Sequence, residues 1–539
     1  MHKGLHLTLR ICLITSITVF IGWAVVALLL PLFGLQIWQQ EWKSQGKTDL
    51  RFERVVLDFT NTADLERSLP FMASAAIDVD ADGQDEVFLG GGRGQLDGLF
   101  RFENGSFVDI SEQWLPAKSK NDASMGAAKI DLNADGKAEL FVARESGLWL
   151  YKNNGTGFES VFLGAMPEAN TVALSIALGD VNGDGFVDFY ASGYIRNELV
   201  EGTTIFNEPY GGYSALFLNT GENNWVDATK SAGLYRQHNT FSAVFVDLDN
   251  DLDSDLVIAQ DTGKVEMYAN DGTGKFQPIE NPSVFSYPMG VAAGDYDNDG
   301  LMDLYFSNVG HTMPAPMVRG DLTKEQAFNS DYMLFHNDGE LRFSDTARTQ
   351  NAARYGFGWG VVFADMDLDG KEDLLAAQNY ARFPDFLSIT YPGKILLQDQ
   401  KGEFHPVEKR VKAKNDNYGI TPLVSDFNGD GWPDLVWVNL AGPSLAYLSK
   451  GGDNHWLKVR LPDQANSINA IVQVQLPDET WLTKQRIYGQ GLGSDQSRDL
   501  IFGLGANTAI KQIRVRFQDG RDYTVDAPGI DRTLTLGGN

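Results

Sequence analysis

The chain has 539 residues, with 44 Lys and Arg against 72 Asp and Glu and a formal net charge of −28 at pH 7. That excess repels nucleic acid and anionic lipid and favours cations or basic partners, so nucleic-acid binding is excluded as a function class. The 56 glycines and 11% aromatic residues suit many short strands joined by tight turns, and a single cysteine, Cys12, leaves no intramolecular disulfide.

The first element in chain order is apolar. No charged residue lies between 11 and 40, and 11–33 is nearly all apolar, which as a helix spans roughly 34 Å, enough for a bilayer core. The reading is a cytoplasmic N-terminus at 1–10, a transmembrane signal-anchor at 11–33 and a linker at 34–49. Secretion after signal cleavage is the alternative, because Lys3 and Arg10 make a basic start.

Seven nine-residue windows follow, beginning at Asp78, Asp131, Asp180, Asp247, Asp295, Asp365 and Asp426, with starts about 48 to 70 residues apart. Each carries a carboxylate or amide at positions 1, 3, 5 and 9. The candidate metal ligands are therefore Asp78, Asp80, Asp82 and Glu86; Asp131, Asn133, Asp135 and Glu139; Asp180, Asn182, Asp184 and Asp188; Asp247, Asp249, Asp251 and Asp255; Asp295, Asp297, Asp299 and Asp303; Asp365, Asp367, Asp369 and Asp373; and Asp426, Asn428, Asp430 and Asp434. Calcium takes six to eight oxygens, and alternate residues of a tight loop can aim theirs at one centre, with Gly at position 6 permitting the turn. An EF-hand needs a Glu at position 12 and flanking helices; position 12 here is Leu89, Val142, Ala191, Ile258, Phe306, Ala376 or Trp437, so that class is rejected.

Runs such as LFVA, LVIA and LVWV after each window read as strands covered on both faces. Five residues before each window stands a small or short residue, Ala73, Gly126, Ser175, Ser242, Gly290, Gly360 or Thr421, which lets first strands crowd together. Hairpins such as LYKNNGTGF complete four strands per repeat. The expected fold class is all-β, a seven-bladed β-propeller with calcium loops over 50–450, its last blade completed by residues 50–59, followed by a small β-domain over 451–539.

The windows and the preceding Gly-x-x-x-x-Asp resemble FG-GAP repeats of the integrin α-subunit type, also described as VCBS repeats. Asn454-His455-Trp456-Leu457, Phe502-Gly503-Leu504-Gly505 and Asp519-Gly520 resemble the ASPIC and UnbV domain. The whole resembles the bacterial type of the cartilage acidic protein family, which implies calcium at about five to seven of the loops and a place outside the cytoplasm. Leu252 replaces the position-6 Gly of the fourth window, so an altered turn and the poorest calcium geometry are expected there. Asn133, Asn182 and Asn428 lower the charge of their loops, which should bind more weakly.

If each loop joins two strands, the connections after the second strand emerge at the opposite end. The long ones, 194–213, 310–331 and 380–393, carry Tyr194, Tyr210, Tyr213, His311, Met313, Met317, Arg319, Tyr380, Arg382, Phe383 and Tyr391, residue types that anchor ligands or pack loops together. The functional reading is a membrane-anchored extracytoplasmic binding or adhesion module for protein or glycan, and not an enzyme. A lyase or hydrolase acting on extracellular polymer, and an envelope assembly scaffold, are the alternatives. No nucleophile or metalloprotease motif occurs, and Arg319-Gly320-Asp321 carries no weight as a tripeptide.

Overall fold

The computed structural model describes residues 46–63, 68–119, 121–202, 204–312, 315–382 and 388–537. In each repeat the apolar run before the loop pairs antiparallel with the run after it. Ser124–Ile130 lies on Glu139–Arg144, with Ile130 opposite Glu139, and every residue of both strands is buried. Strands flank every window, so the rejection of EF-hands holds. The hairpins add the third and fourth strands, as in Gly147–Asn153 and Phe158–Gly164. The seventh sheet is completed from the far end of the chain, where Phe52–Val55 pairs with Leu445–Ser449.

These ladders form separate sheets of three to five strands, together with a two-stranded ribbon of Tyr380–Arg382 and Ser388–Thr390. The expected seven-bladed propeller is corrected accordingly: the chain is all-β and built of separate, mainly antiparallel sheets. The repeat period dictates what happens inside one unit, and it carries no information about strands lent from elsewhere. The first sheet shows this, for it has five strands, the fifth being Ser494–Asp495 in parallel pairing with Ser74 and Ala75.

Contacts between sheets run through the short residues identified in the sequence. A side chain at Gly126 would meet the Leu174 carbonyl at 2.1 Å, and one at Gly290 the Trp359 carbonyl at 2.5 Å. Ser175 and Ser242 donate their hydroxyls to the carbonyls of Phe241 and Met289, both at 2.9 Å. Close backbone approach at these points is what excludes larger residues.

The C-terminal region has its own core, including Leu457, Val472, Val474, Ile513, Val515 and Phe517. His455–Arg460, Ile471–Gln475, Leu500–Gly505 and Gln512–Arg516 are strands of this region, and Trp481–Gln485, Asp522–Asp526 and Arg532–Thr535 extend its sheets. Among the described residues no helix is long and apolar enough to cross a membrane. The span expected at 11–33 lies outside them, and the transmembrane description is withdrawn.

Candidate cation-binding loops and the face opposite them

Three backbone-to-carboxylate hydrogen bonds recur in all seven loops and explain why acids stand at positions 1, 5 and 9. The position-1 carboxylate accepts the N–H of position 6, from Gly83 on Asp78 at 2.9 Å to Gly431 on Asp426 at 2.8 Å. The position-5 carboxylate accepts the N–H of position 7, as Leu301 gives to Asp299 at 2.9 Å. At position 9, Glu86, Glu139, Asp188, Asp255, Asp303, Asp373 and Asp434 accept the N–H of position 2, at 2.8–3.2 Å. In five repeats the second oxygen of position 9 takes an N–H from the third strand, such as that of Asn270 on Asp255 at 2.9 Å. Position 9 is thus buried and accepts backbone donors, as positions 1 and 5 also do.

Both position 4 and position 6 are left-handed. Position 4 runs from φ 57° at Leu368 to 74° at Gly429, and glycine, which announces the conformation at six of the seven position-6 sites, does so at position 4 only in Gly183 and Gly429. Leu252 adopts φ 75°, beside 84–93° for the other six, so the fourth turn keeps its geometry and bears strain instead. The loops are also stapled to each other. Asn153, Asn270, Asn337 and Gln398, at the ends of third strands, donate side-chain amides to the position-2 carbonyls of Val79, Val181, Leu248 and Tyr296 in the preceding loop, at 2.8–2.9 Å. In sequence these residues read only as turn formers.

The loops differ in what remains for a cation. Oδ1 atoms of Asp80, Asp247, Asp253 and Asp367 are buried with no hydrogen-bond partner, an arrangement a bare anion does not tolerate and a metal ion relieves. The fourth loop holds two of the four, and its Asp247, Asp249 and Asp251 converge within one ligand sphere, as do Asp295, Asp297 and Asp303 in the fifth. Burial, then like charge, pushes the carboxyl of Asp253 up to about 7, and burial raises that of Asp247 to about 6 and that of Asp255 to about 8. The fourth loop, ranked last on its sequence, thus holds two buried carboxylate oxygens without a hydrogen-bond partner and three acids within one ligand sphere.

Loops two, three and seven are more self-sufficient. The Asn133, Asn182 and Asn428 amides donate to Asp135, Asp184 and Asp430 at 3.4, 2.9 and 2.9 Å. Loops one and seven also receive basic side chains: Arg498 bonds Asp78, Lys458 bonds Asp426, and Arg101 reaches Asp80 at 2.7 Å and Glu86 at 2.6 Å. These two position-1 carboxylates already have counter-ions, and Asp78, Asp80 and Asp82 of the first loop also converge within one ligand sphere.

Arg498 and Lys458 belong to the C-terminal region, which lies across the loop end of the repeats. Arg460 donates to the Gly83 carbonyl at 2.7 Å and Asn454 to that of Asp367 at 2.8 Å; Gln485 donates to the Asp247 carbonyl at 2.7 Å, and the Asp131 N–H reaches the Asp463 carbonyl at 2.9 Å. Between its sheets, residues 488–497 enter among the first strands, where Gly489 lies against Ile176 and Gly493 against Met125. Nothing in the repeat pattern pointed to this cover.

At the other end the connections fold on themselves. The Asp321 carboxylate accepts the N–H groups of Phe206 and Asn207 at 2.7 and 3.2 Å, and Arg319 donates to the Gln326 carbonyl at 2.8 Å, so the Arg-Gly-Asp tripeptide is spent on internal bonds. Tyr194 donates to Asp261 at 2.7 Å, Tyr213 stacks on Tyr235, and Tyr391 is buried, while Met317 is exposed. Met313 and Phe383, and the side chains of Tyr380 and Arg382, lie outside the described residues. Ser330 and Asp331 both approach His311. Its Nε2 bonds Asp331 at 2.9 Å, but Ser330 Oγ lies 3.4 Å from Nδ1 and 3.5 Å from Nε2, off both lone-pair directions, so no base addresses a nucleophile there. A cavity of about 650 Å³ opens at this end, lined by Phe241, Tyr287, Phe357 and Trp359 among others.

The FG-GAP-like repeat family matches residues 78–142, 131–191 and 247–306, and the ASPIC and UnbV family matches 462–539. The chain carries FG-GAP repeats and an ASPIC/UnbV domain. It has weak homology to cartilage acidic protein 1, at 24% identity over 84% of this chain and 70% of the protein from Xenopus tropicalis, and at 26% over 60% of this chain and 51% of the protein from Homo sapiens. The chain thus spans about half the length of the human relative. Among solved structures, an Agrocybe aegerita protein that recognises non-reducing terminal N-acetylglucosamine aligns over 72% of this chain and 93% of its own, at 15% identity and TM-score 0.40; the V. cholerae biofilm matrix protein Bap1 aligns over 89% and 76%, at 12% and 0.30. At such scores neither likeness carries functional weight. The FG-GAP repeats and the clustered acids of the loops are consistent with calcium binding in general.

Proposed function

We propose that this chain is a non-catalytic extracytoplasmic binding or adhesion module, in which calcium bound at a subset of the FG-GAP loops holds the repeats and the ASPIC/UnbV domain together. The ligand, a protein or glycan, then meets the end away from the loops. The observation that carries this is the asymmetry of the two ends: the loop end is covered by the C-terminal region, and the other presents an aromatic-lined cavity. The fourth, fifth and sixth loops are the first to fill, through Asp247, Asp249 and Asp251, through Asp295 and Asp297, and through Asp365 and Asp367. Extracellular calcium modules work at about millimolar calcium, which supports a position of the repeats outside the cytoplasm.

The test is retention of the purified chain on immobilised extracellular polysaccharides and matrix proteins, compared with Met317→Arg, a change at the exposed edge of the cavity. Retention by the parent and its loss in the variant is expected. Undiminished retention of the variant would move the ligand to another surface, and no retention on any support would remove the binding role.

A further inference from the structure

The cavity away from the loops combines two kinds of wall. Phe241, Tyr287, Phe357 and Trp359 supply rings, and Asp261 and Asp321 supply carboxylates; no Lys, Arg or His is among the described residues that line it. The rings are fixed by one another, Phe241 meeting Trp359 edge to face with centroids 5.8 Å apart at 79°. The carboxylates are fixed as well. Tyr194 holds Asp261 at 2.7 Å, and the backbone of Phe206 and Asn207 holds Asp321. Hydrogen bonds of this kind orient the acids without supplying the positive charge that two carboxylates beside apolar walls call for.

The three classes of small ligand separate on that chemistry. An anion is repelled by both acids and by the net charge of the chain. A neutral ring uses the aromatic walls and leaves the carboxylates without a counter-charge. An ammonium on a short alkyl stem satisfies both, since its charge is attracted by carboxylates and by the faces of aromatic rings, and its methylenes pack on the remaining walls. We propose that this cavity binds a primary alkylammonium group, of the kind carried by a lysine side chain or a free amine. The proposal rests on the reading of this end as the ligand side.

Binding of n-butylammonium chloride to the full chain, followed by saturation-transfer NMR and calorimetry, tests it. n-Butanol and butyrate serve as neutral and anionic controls, and acetyl-Gly-Lys-Gly-amide as the peptide form. Saturable binding of butylammonium is expected, with at least a tenfold loss in Asp261→Asn and no saturation by either control. Tighter binding of the peptide identifies a polypeptide source, and equal binding a free amine. Should Asp261→Asn fail to fold, Met317→Lys, which tethers a competing ammonium at the cavity edge, is expected to weaken butylammonium at least tenfold, and unchanged affinity there overturns the proposal. Equal binding of butanol, or failure of both amines to saturate, also overturns it. If the amines fail while retention on matrix supports persists and stays sensitive to Met317→Arg, the binding module stands and only the ligand class falls.

Discussion

The two ends of the repeats are built from the same strands and differ in almost every physical respect. The loop end concentrates carboxylates, buries several, and compensates them with Arg498, Lys458 and Lys484 from the C-terminal region. The other end has lost the repeat: its connections are unequal in length, pack ring on ring around Phe206, Phe285, Tyr287 and Phe328, and leave a cavity. Uniformity marks the end that holds the molecule together, and irregularity marks the end free to specialise, as connecting loops on a rigid scaffold commonly are.

The largest effect that could break this contrast is removal of metal. Three sites filled at 100 times their dissociation constants would add about 8 kcal/mol, at about 2.7 kcal/mol each, so the chelator-treated chain should melt lower by on the order of 10 °C. Calorimetric melting across a calcium titration, with bound metal counted, checks this. An unchanged melting temperature would reduce the loops to turns.

Next in size is Lys458→Met. Lys458 and Asp426 are both buried, and removing one partner of a buried pair costs about 3–5 kcal/mol. Denaturant unfolding should show that loss in metal-free protein. Full recovery with calcium would mean that the seventh loop takes metal once its lysine is gone, and no loss at all would mean that the cover over the loops is not energetically coupled to them.

The pH dependence of the metal-free chain comes third. Burial raises the carboxyls of Asp255 and Glu86 to about 8 and that of Asp295 to about 7, above their ordinary values of 3.8 for Asp and 4.5 for Glu. Well below pH 3.8 these groups are protonated folded or unfolded. As pH rises from there towards 8 the unfolded chain ionises first, so stability falls through that window. Melting temperatures in chelator should therefore decline from pH 5 to pH 8, and calcium should flatten the decline. A rising profile would contradict the burial of these acids.

Smaller still is Asn337→Ala, which deletes amide bonds to the buried carbonyls of Leu248 at 2.8 Å and Met302 at 3.2 Å. A loss of about 1–3 kcal/mol is expected, read as a lower denaturant midpoint. Less than about 0.5 kcal/mol would show that the staple between loops is incidental.

Much of the loop end was legible in the chain. Position 1 and position 9 acids, the glycines at position 6 and the small residues at 126, 290 and 360 each leave a residue-type signature, because those residue types best suit the bond or the close approach. Other features have no such signature. Ala81, Ala134 and Leu368 are left-handed at position 4 although their types do not favour it, and Leu252 holds a glycine's conformation because the surrounding hydrogen bonds impose it. Ser494–Asp495 is too short to read as a strand, and its partner lies about 420 residues away. That distance also explains why the arrangement of sheets inferred from the period needed correction. The cavity was not legible, since its rings, Phe241, Tyr287, Phe357 and Trp359, lie outside the long connections, which supply Gly202, Thr204, Met317, Gly320 and Asp321, and the pairing of Asp261 with Tyr194 joins two different repeats.

The pairing of Phe52–Val55 with Leu445–Ser449 has a consequence for how the molecule comes into being. The first strand made has no partner until nearly the whole chain exists, and residues 488–497 reach their place among the first strands later still. Contacts so distant in sequence slow folding, so a nascent or truncated chain displays an unpaired strand edge for as long as it lacks its last hundred residues, the kind of edge that recruits other chains. Refolding of the full chain should accordingly be slow, and its aggregation during refolding should fall when synthetic peptide 445–449 with flanking residues is supplied to occupy that edge.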